Sequence, residues 1–228
     1  MPGVDPEILL IYRGLDLGGV LLMSVMGGTM ARRRGFDLVG FLFLALFSAL
    51  GGGMLRDTLI GEGTVAAMAE PVYLALAITG ALVAWLTHFK SRAWELFQTH
   101  ADALVLGAWA VTGCVKALSF DLPLLSAIFM GVLTGVGGGM LRDIAIGQVP
   151  SIFTGGRLYA TPAIIAATSM VLFHLAGRDA LGMIISPTLG AGLAILGYWR
   201  GWRLPTDPEW APVNTAVERT WRVIRRRK

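Results

Sequence analysis

Charge and cysteine are both scarce in this sequence, and each shortage excludes classes of protein. Only 15% of the 228 residues are Asp, Glu, Lys or Arg, whereas a soluble domain carries about a quarter. The single cysteine, Cys114, excludes an internal disulfide and a cysteine-rich metal site. The net charge is only +4, and much of the basic excess lies in one short tail, so nucleic-acid binding is disfavoured.

Signatures of catalysis are missing as well. No segment resembles an HExxH zinc site, a nucleotide-binding glycine loop or a Ser-His-Asp set. The glycine-rich heptapeptide GGGMLRD is not a phosphate loop, because it lies within an apolar segment and lacks the Lys-Ser/Thr ending. We therefore expect no enzyme activity, no cofactor and no resident metal.

Apolar sequence is what the chain has in excess. Hydrophobic residues make up 55% of it, most of the 30 glycines lie inside apolar runs, and the mean hydropathy is +0.66. A membrane-spanning helix needs about 20 mostly apolar residues. Seven segments qualify, namely Ile8–Ala31, Phe36–Gly61, Pro71–Phe89, Ala103–Phe120, Leu122–Ile146, Tyr159–Ala176 and Ala180–Trp199. The sequence predicts an all-α integral membrane protein with a seven-helix membrane domain over residues 1–200 and a basic cytoplasmic tail over residues 201–228.

Lys and Arg are distributed unequally between the two ends of the predicted spans. One side receives fourteen of them, namely Arg32, Arg33, Arg34, Lys90, Arg92, Arg157, Arg200, Arg203, Arg219, Arg222, Arg225, Arg226, Arg227 and Lys228. The other side receives three, namely Arg13, Lys116 and Arg178. Because cytoplasmic loops carry the excess of basic residues, we expect an outside N-terminus and a cytoplasmic C-terminus, with the tail resting on anionic lipid.

An internal duplication organises the sequence. The heptapeptide at Gly51–Asp57 recurs unchanged at Gly137–Asp143, an offset of 86 residues that also relates Asp16 to Asp102, Tyr73 to Tyr159 and Ser48 to Thr134. Each copy contains three predicted spans, one over about residues 8–89 and the other over about 100–176. Because three is odd, the copies should cross the membrane in opposite senses, as inverted repeats do. The seventh helix, at about 180–200, has no counterpart.

The two glycine triplets suggest a site within the membrane. Three consecutive glycines weaken a helix by about 1 kcal/mol each relative to alanine. We therefore expect breaks or kinks in the second and fifth spans that expose backbone carbonyls to a permeant solute. The candidate path residues are Gly51, Gly52, Gly53, Gly137, Gly138 and Gly139. The alternative is that small residues simply let two helices approach closely.

Each triplet is followed by an arginine and an aspartate. Charges at membrane depth are costly and usually mark a pathway, so Arg56, Asp57, Arg142 and Asp143, together with Asp16 and Asp102, form a candidate charge network. Neighbouring side chains on a helix diverge by about 100°. We therefore expect Asp57 to pair with a residue other than Arg56. A structural lock and a contact with the permeant ion remain equally open.

Other candidates lie on the flanking helical turns. Asp16 and Asp102 are expected at the openings of the first and fourth spans, where the helix dipole favours a carboxylate. Ser48 and Thr134 precede the triplets by about one turn and either line a pore or bond back to the helix. Lys116 has Met30 at the equivalent position in the first copy and is either a candidate gating charge or a lysine that extends to the membrane interface, the commoner arrangement.

With its doubled GGGMLRD, the sequence resembles the bacterial and archaeal branch of the trimeric intracellular cation (TRIC) channels, also catalogued as UPF0126 or a glycine-transporter domain. The resemblance covers roughly residues 7–200. It implies a homotrimer in a prokaryotic plasma membrane, with one pore per subunit around the glycines and nearby hydroxyls, passing K⁺ and, less selectively, Na⁺. Animal members carry lysines at the breaks and bind a phosphoinositide there. This chain has glycines instead, so that lipid site is not carried over.

Three functions compete at this point. A passive monovalent-cation channel is the first, because there are few intramembrane carboxylates to trap an ion. The second is a carrier for a small amino acid such as glycine, because inverted repeats are common in carriers. A structural assembly protein is the third, but that role leaves the paired membrane charges unexplained.

Overall fold

The described part of the chain consists of helices joined by short loops. The computed structural model describes residues 6–61, 63–89, 91–154 and 158–204, and within them the chain forms eight helices. They are α1 (Pro6–Arg33), α2 (Leu38–Ile60), α3 (Ala66–Ala69), α4 (Pro71–Leu86), α5 (Arg92–Ser119), α6 (Leu124–Ala145), α7 (Ala160–Leu175) and α8 (Asp179–Arg200). Every predicted span corresponds to one helix, and α3 is an additional single turn. Residues 205–228 of the predicted tail lie outside the described residues.

The helices differ in whether they can cross a bilayer. In the described part of the chain, α1, α2, α5, α6 and α8 are long and apolar enough to do so. α4 and α7 are equally apolar but have 16 residues each, about 24 Å at 1.5 Å per residue. Large apolar side chains cover the outer surface, and Leu86 and Leu125 are 78% and 79% exposed. This exposure is what a surrounding of lipid tails allows.

One predicted boundary is wrong by about three turns. The fourth span was expected to begin at Ala103, but α5 begins at Arg92. The Ser91 side chain caps the helix by accepting a hydrogen bond from the backbone N–H of Trp94, and Glu95 lies in the first turn. Both features stabilise a helix N-terminus. Hydropathy misses this polar segment because it responds to apolar content alone.

The helices pack as two groups of three with α8 attached to the second. α1 packs against α2 and α4, while α5 packs against α6, α7 and α8. The groups meet mainly where α2 crosses α6. Alanine, glycine and small polar residues dominate the buried faces of both crossing helices. Their small side chains bring the two backbones close together at the centre of the protein.

Candidate functional site

Both glycine triplets lie inside continuous helix. α2 is helical from Leu38 to Ile60 and α6 from Leu124 to Ala145, so the expected breaks at Gly51–Gly53 and Gly137–Gly139 are wrong. The carbonyls of these segments stay within the regular helices and are not released toward a solute. The reason is tertiary packing, which overrides the weak helix propensity of glycine.

The first two glycines of each triplet form the contact between α2 and α6. A Cβ on Gly52 would collide with the carbonyl oxygen of Thr134, and one on Gly138 would collide with that of Ser48. A Cβ on Gly137 would lie 2.9 Å from the Cα of Gly52. We call this contact the glycine crossing. It matches the alternative reading, in which small residues permit close approach of helices.

The third glycine of each triplet has a different environment. Outside the backbone of α2 itself, the nearest described atom to a Cβ on Gly53 would be Arg56 Nη2, at 3.8 Å. A Cβ on Gly139 would lie 3.7 Å from Arg142 Nη2 and 3.9 Å from the Tyr159 hydroxyl. Gly53 also lines a small cavity beside the crossing. These two positions therefore face the arginines, while the first two positions face the opposite crossing helix.

The hydroxyl residues lie beside the crossing and are buried. Ser48 is 0% and Thr134 is 2% exposed. Thr134 donates to the carbonyl oxygen of Met130 at 2.6 Å, a local bond back to its own helix, whereas the Ser48 hydroxyl has no hydrogen-bond partner among the described residues. Each packs against a glycine of the preceding helix, Ser48 on Gly27 and Thr134 on Gly113. These two contacts are related by the offset of 86 residues.

The first charge cluster consists of Arg56, Asp57 and Lys116. Arg56 Nε lies 2.7 Å from Asp57 Oδ1, and Lys116 Nζ lies 2.7 Å from the same oxygen. Asp57 does pair with a residue other than Arg56, namely Lys116 of the second copy, but the expectation that it avoids Arg56 is wrong. The Cβ atoms of neighbours do diverge, but the long arginine side chain folds back along the helix. Asp57 Oδ2 accepts a hydrogen bond from the backbone N–H of Ala66 at 2.9 Å, which fixes the loop after α2.

The second charge cluster consists of Arg142 and Asp143. Arg142 donates to Asp143 Oδ1 from Nη2 at 2.8 Å and from Nε at 3.0 Å. Asp143 Oδ2 accepts from the backbone N–H of Ser151 at 3.1 Å. The position equivalent to Lys116 is Met30. The second cluster therefore repeats the arginine–aspartate pair of the first, but it lacks the additional cation that Lys116 provides there.

Two aspartate–tyrosine pairs complete the site. Tyr73 donates to Asp16 at 2.5 Å and Tyr159 donates to Asp102 at 3.1 Å. Each aspartate is the eleventh residue of its helix, in α1 and α5 respectively. The expectation that they open their helices is therefore wrong, and a capping role with it. The tyrosines were missed as site residues, although the offset of 86 residues relates them as it relates the aspartates.

Each pair lines an open cavity. The first vestibule, about 420 Å³, is lined by Asp16 and Tyr73 together with the N-terminal part of α1. The second vestibule, about 380 Å³, is lined by Asp102 and Tyr159 and reaches Arg33 at the C-terminal end of α1. The two vestibules therefore open toward opposite ends of the same helix.

A third, much smaller cavity lies between the first vestibule and the crossing. It measures about 30 Å³ and its lining includes Asp16, Gly53, Arg56, Asp57 and Thr134. That volume suits about one water molecule. Within the described parts of the chain, no group of three or more His, Cys, Asp or Glu side chains could hold a metal ion.

Apolar helices, an apolar outer surface and ion pairs buried in the interior define a multi-pass membrane protein. The chain belongs to the TRIC/UPF0126 family. The family model described as glycine transporter matches it twice, over residues 14–89 and 99–175. These two matches correspond to the two copies of the duplication.

Individual relatives agree with this assignment. A UPF0126 membrane protein of Deinococcus radiodurans is 35% identical over 69% of this chain and 74% of its own length. One from Streptomyces coelicolor is 35% identical over 90% of this chain and 94% of its own. A TRIC cation channel structure, 28% identical, aligns with a TM-score of 0.80 over 88% of this chain and 99% of its own. The TRIC trimeric intracellular cation channel orthologue from Rhodobacter sphaeroides, also 28% identical, gives 0.77 over 84% and 99%.

Proposed function

We propose that this protein is a monovalent-cation channel that passes K⁺ and, less selectively, Na⁺, with a pathway in each subunit. The observation that carries the proposal is the pair of vestibules opening toward opposite ends of the bundle, each with a carboxylate at its wall. Carboxylates at the mouths of an apolar protein concentrate cations from solution. The similarity to structures of TRIC cation channels supports the same function.

The proposed arrangement has seven membrane helices, with α1, α2 and α4 related to α5, α6 and α7 as inverted repeats and α8 added. Matched contacts support the relation, because the pairs Gly52–Thr134 and Gly138–Ser48 interchange under the 86-residue offset. The short helices α4 and α7 would cross where the bilayer thins locally around the protein. The distribution of basic residues supports an outside N-terminus and a cytoplasmic C-terminus in a prokaryotic plasma membrane.

The path runs from the first vestibule past the small cavity and the glycine crossing to the second vestibule. In the present geometry the space beside the crossing suits about one water molecule, so conduction requires α2 and α6 to separate there. The glycines suit this role because backbone contacts without side chains can part without repacking. Ser48 and Thr134 would then offer hydroxyl oxygens to a partly dehydrated cation.

Lys116 is the proposed gating charge. It pairs with Asp57, which lines the small cavity beside the crossing, and its side chain keeps 31% exposure. The ammonium group of Lys116 repels a permeant cation. Together with Arg56 it also surrounds the single negative charge of Asp57 with two positive charges. Movement of Lys116 away from Asp57 would lower that barrier.

We further propose a homotrimer in contact with membrane lipid. Support comes from the aligned orthologue, which is a trimeric channel, and from the many large apolar side chains exposed on the single subunit. A chemical cross-linking ladder in detergent that stops at three subunits is the expected result.

A glycine carrier is the second candidate. The description of the matching family model favours it, and a closed crossing between two vestibules is also the geometry of alternating access. Each vestibule also contains an arginine beside its aspartate, Arg13 in the first and Arg33 in the second, so the charges of the lining suit a zwitterion as well, and a transport measurement has to separate the two candidates.

Flux into proteoliposomes separates the two candidates. The expected result is K⁺ uptake that continues down its gradient without glycine and shows no saturation at low millimolar concentration. Saturable glycine counterflow, with K⁺ flux no greater than in empty vesicles, would favour the carrier. Vesicles that contain Asp37→Asn protein serve as the matched control. Asp37 caps α2 away from both vestibules, and asparagine retains the capping oxygen.

A further inference from the structure

α8 contains a proline within the helix, Pro187, and this removes one backbone hydrogen bond of the helix. Pro187 has no backbone N–H and its ring displaces the carbonyl four residues earlier, which belongs to Met183. That carbonyl therefore loses its partner within the helix. In apolar surroundings an unpaired backbone carbonyl is costly, so a donor from elsewhere is required.

The required donor comes from α1. The hydroxyl of Tyr12 donates to the carbonyl oxygen of Met183, 171 positions away along the chain. Both residues are buried, with exposures of 9% and 2%. Tyr12 belongs to the same buried apolar cluster as Met183 and also lines the first vestibule. The hydrogen bond thus joins the vestibule wall to the helix outside the duplication.

The other side of the proline segment is fixed by close packing. A Cβ on Gly107 of α5 would lie 2.5 Å from the Pro187 carbonyl oxygen and 3.1 Å from the backbone nitrogen of Ala191. Ser186 donates to the hydroxyl of Ser169 on α7 at 3.0 Å. α8 is therefore held by α5 and α7 on one side, and Tyr12 connects it to α1 on another.

The hydrogen bond from Tyr12 has no counterpart at the equivalent position of the second copy. The position equivalent to Tyr12 is Gln98, which lines the second vestibule. We propose that Tyr12 is a positioning residue for α8: its hydroxyl replaces the donor that Pro187 removes and holds α8 against α1 at the first vestibule. The proposal concerns the arrangement of the helices and does not depend on which solute crosses the membrane.

A double-mutant cycle on the purified full-length protein in detergent tests this role. We expect Tyr12→Phe to lower the Tm by about 2–4 °C, the size of one lost hydrogen bond. In a Pro187→Ala background the restored backbone N–H at position 187 serves Met183, so Tyr12→Phe should lower the Tm by less than half as much. Pro71→Ala is the matched control, because Pro71 begins α4 and displaces no helical carbonyl. In the Pro71→Ala background we expect Tyr12→Phe to lower the Tm as much as it does in the wild type.

An equal loss in all three backgrounds would overturn the proposal, because Tyr12 would then act through packing alone. Should Pro187→Ala not fold, a Raman difference spectrum between wild type and Tyr12→Phe gives a separate readout. It isolates one of only four tyrosines. A signal typical of a hydrogen-bond-donating hydroxyl supports the contact, and a signal typical of a non-donating hydroxyl contradicts it.

Discussion

The two charge clusters carry the same duplicated motif but differ in their numbers of positive and negative side chains. In the second cluster one arginine meets one aspartate, and the aspartate also holds the loop after its helix. In the first cluster Lys116 joins the equivalent pair from a neighbouring helix. The duplication therefore explains the ion pair and its loop contact as structural features common to both halves. The additional cation is the part that symmetry does not explain, and so it is the better candidate for control.

The largest contrast should come from removing the carboxylate charge in each cluster. Asp57→Asn leaves both Arg56 and Lys116 without a counter-ion, whereas Asp143→Asn leaves only Arg142. Breaking a buried pair costs about 3–5 kcal/mol, so we expect Asp57→Asn to approach that loss and Asp143→Asn to lose less. Thermal unfolding of both variants in detergent measures the difference. Equal losses would show that Lys116 contributes nothing to the cluster.

The glycine crossing provides the next contrast, within one triplet. Gly52→Ala places a methyl group against the backbone of Thr134, and overpacking of this kind costs about 1–3 kcal/mol. Gly53→Ala is the matched control, because its nearest neighbour is the flexible end of Arg56 at 3.8 Å. We expect Gly52→Ala to lower the unfolding temperature and Gly53→Ala to leave it nearly unchanged. The same order is expected for Gly138→Ala and Gly139→Ala. If all four variants behaved alike, the crossing would not be the packing contact described.

The smallest effect on stability is expected from making the two clusters alike. Lys116→Met copies the residue at position 30, and Asp57 keeps its bond to Arg56. Because Lys116 is partly exposed, we expect a loss of about 1 kcal/mol or less, together with a higher open probability in bilayer recordings. The reciprocal variant Met30→Lys should lower open probability. A Lys116→Met protein with wild-type gating would remove Lys116 from the proposed mechanism.

Sequence was a good guide to the helices and the duplication, because both depend on composition and exact recurrence. Each predicted span coincides with a helix, five of which are long and apolar enough to cross a membrane within the described residues, and the 86-residue offset relates contacts such as Gly27–Ser48 and Gly113–Thr134. The breaks at the triplets were wrong because propensity describes an isolated helix, and here a second helix packs on Gly52. Arg56 was misassigned because helical spacing describes Cβ directions, and the guanidinium lies several bonds beyond its Cβ.

The pairings between residues far apart in the chain could not be predicted from the sequence. Nothing local identifies Tyr73 as the partner of Asp16, since the two lie 57 positions apart on different helices. The recurrence of both residues at the same offset was the available signal. The bond from Tyr12 to Met183 has no such signal, because it occurs once and arises from a proline on a helix outside the repeat.

Single-channel recording in planar bilayers tests the central claim, a cation path that joins both vestibules through one subunit. Asp16→Asn and Asp102→Asn each remove the carboxylate of one aspartate–tyrosine pair, and Asp37→Asn is the control on the surface. We predict discrete K⁺ current steps for the wild type, with unitary conductance at least about twofold lower in both vestibule variants and unchanged in the control. An absence of current steps, or wild-type conductance in both vestibule variants, would contradict the account.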